Sequence, residues 1–180
     1  MQRREFASTL AQGLTGAAVV AAVGGAHAQG PLPVEGKDYL AVSPRAPVDA
    51  PAGKIEIIEF FWYSCPHCNA FEPQFDAWTK SPQAKELVIR RQPVAFRDDF
   101  VPQQKLYFAL EALGKVDELH RKVFYAIHAE KNTLATEAAV IAWVEKMGLN
   151  KKAFTDAYTS FGVASKAKRA VQLQDAYKIS

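Results

Sequence analysis

The sequence predicts an α/β fold carrying a block of helices, and three observations predict it. Ile55 to Tyr63 reads Ile-Glu-Ile-Ile-Glu-Phe-Phe-Trp-Tyr, nine residues rich in β-branched and aromatic side chains, the mark of a buried strand. A helical pattern follows at once, with Phe71, Phe75 and Trp78 at helical spacing, and Leu87 to Ala95 reads as a second strand. From about Val101 the chain changes character and gives four or five amphipathic helices in succession. Strand, helix, strand and then a run of helices is the order of an α/β unit with a helical insertion. At 180 residues, 49% of them hydrophobic, the chain fits one globular domain with an inserted subdomain and buries enough surface to fold without disulfide staples.

The first 28 residues are a different material. Arg3 and Arg4 form a short cationic start, Leu10 to Val23 is small and apolar without a charge, and Ala26-His27-Ala28 supplies a small-x-small cleavage site. This is the pattern of a secretory signal peptide, and the apolar stretch is too short to span a bilayer comfortably. Arg3-Arg4-Glu5-Phe6 also weakly resembles a twin-arginine signal. Residues 29 to 53 carry Pro31, Pro33, Pro44, Pro47 and Pro51, which predicts an extended leading segment with at most one short edge strand near Tyr39 to Val42. After the Ile55–Tyr63 strand, Ser64 is the expected helix cap and Pro66 takes an early helical position, where its missing N–H does no harm. Pro73 is expected to kink that helix. In the helical block Gly114 breaks the first helix from the second, Thr136-Glu137 opens one that ends at Met147-Gly148, Asn150 caps the next, and Val163 to Tyr177 forms the last. The expected organisation is a signal peptide at 1–28, an α/β part at 29–97, a helical insertion at 98–165, and a helix at 166–180 returning to the α/β part.

Formal charge says little about partners. The chain carries +3, with pI about 8.8, and about +2 once residues 1–28 are removed. The densest basic run, Lys166-Ala167-Lys168-Arg169, reads as a solvated helix face, so no nucleic-acid partner is expected.

The chemistry lies at Cys65-Pro66-His67-Cys68, between strand and helix; these are the chain's two cysteines. A cysteine at a helix start puts its sulfur beside unpaired backbone N–H groups and the positive end of the helix dipole, and both favour a thiolate. Cys68 lies about one turn on and can reach back to the first sulfur. His67, when protonated, adds a positive charge near Cys65. A thiolate stabilised in this way stabilises the reduced form, so the disulfide becomes an oxidant, which points to giving disulfides away. The other readings are weaker. A bridge across two residues is a poor staple. Zinc needs about four ligands, and c-type haem needs a His where Asn69 stands. Glu59 sits six residues before Cys65 in an otherwise apolar strand, on one face with Ile55, Ile57 and Phe61. If that face is buried, its pKa rises and it can move protons to and from Cys68; the alternative is a solvated strand-edge Glu. His120 and His128 read as packing or surface residues, and Phe60, Phe61, Phe71, Phe75 and Trp78 as core. Of Trp62 and Tyr63, one could flank the site.

Glu59-Phe60-Phe61-Trp62-Tyr63-Ser64-Cys65-Pro66-His67-Cys68 closely resembles the active-site segment of bacterial DsbA-type oxidoreductases. The resemblance covers roughly residues 36 to 180. It implies a thioredoxin fold with an inserted α-helical domain, and periplasmic oxidation of reduced, unfolded exported proteins by a monomer. It implies no cofactor beyond the redox-active disulfide, and reoxidation by a quinone-linked membrane partner of the DsbB type. A strongly shifted cysteine and an oxidising disulfide are established properties of that family, not results of the spacing argument. Carried over by position, Cys65 is the nucleophile, Cys68 the resolving thiol, His67 the thiolate stabiliser and Glu59 the buried proton relay; Arg91 matches a position that often holds a basic residue near that relay. The family's return to the sheet, with its cis-proline loop, two strands and final helix, is not seen. No proline follows Pro102, so the chain is expected to be truncated at its C-terminus and lacking those elements.

Overall fold

The computed structural model describes residues 32–180, so the expected signal peptide lies outside the described residues. Residues 32–40 form a small unit of their own, a turn in which Gly36 N–H donates to the Tyr39 carbonyl at 2.8 Å and Val34 N–H to Asp38 Oδ2 at 2.9 Å. Tyr39 makes only an isolated bridge with Glu35, and Leu40 to Val42 have no regular structure, so of the at most one short edge strand expected near Tyr39 to Val42 only that bridge is present.

In the second unit, residues 41–180, strand β1 (Ile55–Phe61) pairs in parallel with β2 (Leu87–Pro93), joined by helix α1 (Pro66–Thr79) and a short turn at Pro82–Ala84. The register sets Ile55 against Leu87 and Glu59 against Arg91. β1 stops two residues before the expected Tyr63, because the chain turns there: Cys65 N–H donates to the Trp62 carbonyl at 3.0 Å. The cap of α1 is Cys65, not Ser64. Cys65 Sγ takes the Cys68 N–H at 3.4 Å, while Ser64 Oγ faces away and accepts from Gln103 Nε2 at 2.6 Å. Pro66 fills the first helical position as expected, and the helix continues through Pro73 to Thr79.

Five helices follow: α2 (Val101–Ala112), α3 (Val116–His128), α4 (Glu137–Lys146), α5 (Lys151–Tyr158) and α6 (Phe161–Ala176). Gly114, at φ 65°, ends α2 in the left-handed conformation that glycine adopts at little cost. The side chains of Thr136, Asn150 and Ser160 cap α4, α5 and α6 by accepting N–H groups three residues on. Ser160 is why α6 begins two residues ahead of the expected Val163, and α6 runs unbroken across residue 165.

The core sits within the helical block. Leu106, Ala109 and Leu110 of α2 meet Leu119 and Val123 of α3, Val140 and Val144 of α4, Phe154 and Tyr158 of α5, and Val163 of α6. Phe61, at the end of β1, and Tyr63, in the turn that follows, join the same cluster. Each such side chain contributes roughly 1.5–3 kcal/mol by leaving water, so the strand end is fixed by the helices it plugs into. Not all of the expected core aromatics are inside: Phe71 is 51% exposed, and Phe60 and Trp78 are half-buried. Phe71, Phe75 and Trp78 line an open apolar groove with Ile57 instead of facing the helices.

Candidate functional site

The turn from β1 into α1 places both sulfurs. Cys65 and Cys68 are each half-buried, and the N–H of Cys68 points at Cys65 Sγ. The two thiols are not equivalent. Burial above all pushes the Cys68 thiol up to about 11, the nearby Cys65 sulfur and Glu59 add to this, and a backbone contact with Trp62 opposes it. Cys65 is the residue whose side chain receives a helix N-terminal N–H. His67 is exposed on the first turn of α1. Trp62 is half-buried and stacks on Phe100 with ring centroids 3.7 Å apart, whereas Tyr63 is core. Among the described residues no group of three or more His, Cys, Asp or Glu side chains is placed to hold a metal ion.

Behind the sulfurs lies a row of buried polar groups. Register makes Glu59 and Arg91 direct neighbours across the strands, and Arg91 Nε donates to Glu59 Oε2 at 3.1 Å. The Glu59 side chain is only 8% exposed, which removes the solvated-edge reading. Burial first, then the negative charge of Glu72, raise the Glu59 carboxyl to about 7; Arg91 opposes them and loses. Arg91 is also shared: its Nη2 donates to Glu72 Oε1 at 2.7 Å, and Glu72, on α1, is 3% exposed. Beyond Glu72 stands His120 of α3, with Nε2 3.4 Å from Glu72 Oε2 and Nδ1 2.8 Å from the Tyr63 hydroxyl. His128 Nε2 reaches the Tyr63 carbonyl at 2.9 Å.

Of the expected site residues, the structure gathers Cys65, Cys68, Glu59 and Arg91 around the turn from β1 into α1 and leaves His67 exposed; Glu72 is a buried neighbour of that group which the sequence did not single out. The signal was present: Glu72 lies four residues after Cys68, on the same helix face, and a carboxylate on that face needs a buried cation. His120 does pack, ringed by Phe61, Tyr63 and Phe124, but it is also polar contact for Glu72.

No protein-family model matches the chain. Individual proteins do. A thiol:disulfide interchange protein DsbA from Burkholderia cepacia is 45% identical over 158 residues, which span 88% of this chain and 74% of that one. The chain belongs to the DsbA family. A DsbA from Bordetella pertussis is 38% identical over 179 residues, 99% of this chain and 81% of its relative. The crystal structure of Pseudomonas aeruginosa DsbA matches with a TM-score of 0.71 at 35% identity, over 77% of this chain and 71% of that one. The oxidoreductase DsbA from Xylella fastidiosa gives 0.74 at 29% identity, over 81% and 79%. The fold is thus the DsbA form of the thioredoxin fold, and the chain is a thiol:disulfide oxidoreductase.

In this DsbA family member the raised Glu59 carboxyl has a consequence for stability. A carboxyl whose folded pKa lies above its unfolded value favours the folded state at low pH, and that contribution is lost as pH rises from about 4.5 to about 7. Glu59→Gln removes the loss and leaves Arg91 still paired with Glu72. We expect the variant to be more stable by about 2 kcal/mol at pH 8, allowing for the water that still reaches the site, and no more stable at pH 4. Urea midpoints at the two pH values check this.

Proposed function

We propose that this chain oxidises reduced, unfolded exported polypeptides in the periplasm by handing over the Cys65–Cys68 disulfide, as a monomer. A quinone-linked membrane partner of the DsbB type then takes the two electrons and re-forms the pair. In this reading residues 1–28 are removed on export, 29–97 and 166–180 belong to the thioredoxin part, and 98–165 is the helical insertion.

The transfer runs in two exchanges. A substrate thiolate attacks Cys65 Sγ, a substrate–Cys65 bond forms, and the bond to Cys68 breaks. Cys68 leaves carrying the electron pair. A second substrate thiol then loses its proton and attacks the first substrate sulfur, and Cys65 departs as a thiolate. The substrate has lost two electrons and the pair has gained them. The observation that carries this reading is the unequal pair. A thiol pushed up to about 11 is a poor leaving group unless it is protonated as it leaves. Glu59, at about 7 and close enough for its charge to act on Cys68, holds a proton of suitable affinity. His67, at the open end of α1, supplies positive charge to Cys65 when it is protonated.

The test mixes oxidised protein with a reduced unfolded polypeptide and counts thiols. One disulfide should appear in the substrate, and two thiols in the protein, per chain. The rate should carry a limb near neutral pH that Glu59→Gln removes. A protein that keeps its disulfide under these conditions is not a donor.

A further inference from the structure

Two buried carboxyls, Glu59 and Glu72, share one guanidinium, that of Arg91. With two negative groups and one positive, the cluster is neutral only when it holds one proton, and an unpaired buried charge is costly. Which carboxyl carries that proton decides whether the relay is loaded. Beside Glu72 the answer is built into the packing. Glu72 Oε2 and His120 Nε2 are both buried, neither has another hydrogen-bond partner among the described residues, and they face each other at 3.4 Å. A carboxylate can only accept, so the hydrogen of this contact belongs to Nε2. Nδ1 is then the acceptor, and the Tyr63 hydroxyl, 2.8 Å away and itself fully buried, donates to it.

We propose that His120 is a positioning residue for the proton relay: Tyr63 fixes its tautomer, its Nε2–H holds Glu72 as the anion, and the one shared proton is thereby kept on Glu59, beside Cys68. This rests on the reading of Glu59 as the relay. The groups that act on His120 come from every neighbouring element: Tyr63 from the turn after β1, Glu72 and Asp76 from α1, Arg91 from β2 and Tyr107 from α2. Burial lowers the imidazole pKa, so His120 acts as a neutral donor at neutral pH and not as a second cation.

The experiment follows the rate of disulfide transfer to a reduced unfolded polypeptide against pH and reads the midpoint of the limb that Glu59→Gln removes. His120→Phe removes the donor to Glu72. Glu72 then takes a larger share of the proton, Glu59 ionises more readily, and the midpoint moves to lower pH, by about tenfold in proton concentration. His120→Gln, whose amide can donate to Glu72 and accept from Tyr63, returns the midpoint close to that of the unmodified protein. Tyr63→Phe, which removes a single oxygen and frees the tautomer, moves it in the same direction as His120→Phe by about threefold. In a Glu72→Gln background, His120→Phe adds no further shift, because the two act through one path. Should His120→Phe not fold, Tyr63→Phe, made alone and in the Glu72→Gln background where it should add no further shift, still decides. An unmoved midpoint in His120→Phe or Tyr63→Phe, with the Glu59-dependent limb intact, makes His120 a packing residue and overturns the proposal while leaving the relay standing. A limb that survives Glu59→Gln removes the relay itself.

Discussion

Replacing Cys65 with Ser will abolish disulfide transfer, and replacing Cys68 with Ala will turn the protein into a trap. The two outcomes differ because the thiols differ. Cys65 is half-buried at the start of α1, where its sulfur receives the Cys68 N–H, so it is reachable and sits at the helix N-terminus. Without it no incoming thiol finds a sulfur to attack, and transfer falls to the uncatalysed background, a loss on the order of a thousandfold or more. Cys68 is held in its neutral form by burial. Its loss leaves Cys65 able to attack a disulfide but removes the second thiol that would displace the partner. The Cys68→Ala protein given an oxidised peptide should therefore accumulate a covalent mixed disulfide, seen as a mass increase that dithiothreitol reverses. If Cys65→Ala captures peptide and Cys68→Ala does not, the roles assigned to the two sulfurs are reversed.

What could be read from the sequence was whatever local rules decide. The strand at Ile55, the Cys-Pro-His-Cys turn and the caps at Thr136 and Asn150 each depend on a few consecutive residues, and each was found within two residues. The cap of α1 was misplaced by one, since a thiol is a weak acceptor and Ser64 looked the better candidate; Gln103, 39 residues away, claims that hydroxyl instead. The polar row was legible only at its near end. Glu59 stood out as a charge in an apolar strand, but its partners come from α1, β2 and α3, and no sequence spacing brings those together. Phe71 failed for a related reason. Helical spacing says that Phe71, Phe75 and Trp78 share a face but not what that face packs on, and here it borders an open groove.

Arg91 is the residue on which that row depends, and Arg91→Met should cost about 3–5 kcal/mol of stability at pH 8, because it strands two buried carboxyls at once. Methionine keeps much of the apolar stem but none of the five N–H donors. The sign of the pH dependence follows from Glu59. Burial already holds that carboxyl up to about 7 with Arg91 in place, and without the guanidinium it climbs further. A carboxyl raised in this way stabilises the fold below its unfolded value and loses that contribution as pH increases, so the deficit should be small near pH 4 and full by pH 8. Adding Glu72→Gln or Glu59→Gln to Arg91→Met should recover part of the loss, since either leaves one unpaired carboxylate in place of two. Arg91 also lies over the Phe75 ring, 5.3 Å from its centroid, so lost packing is the competing explanation. Packing does not titrate. A deficit of the same size at pH 4 and pH 8, unrelieved by either glutamine, would show that the arginine serves the aromatic ring and not the two acids, and the charge balance argued for Glu59 would have to be abandoned.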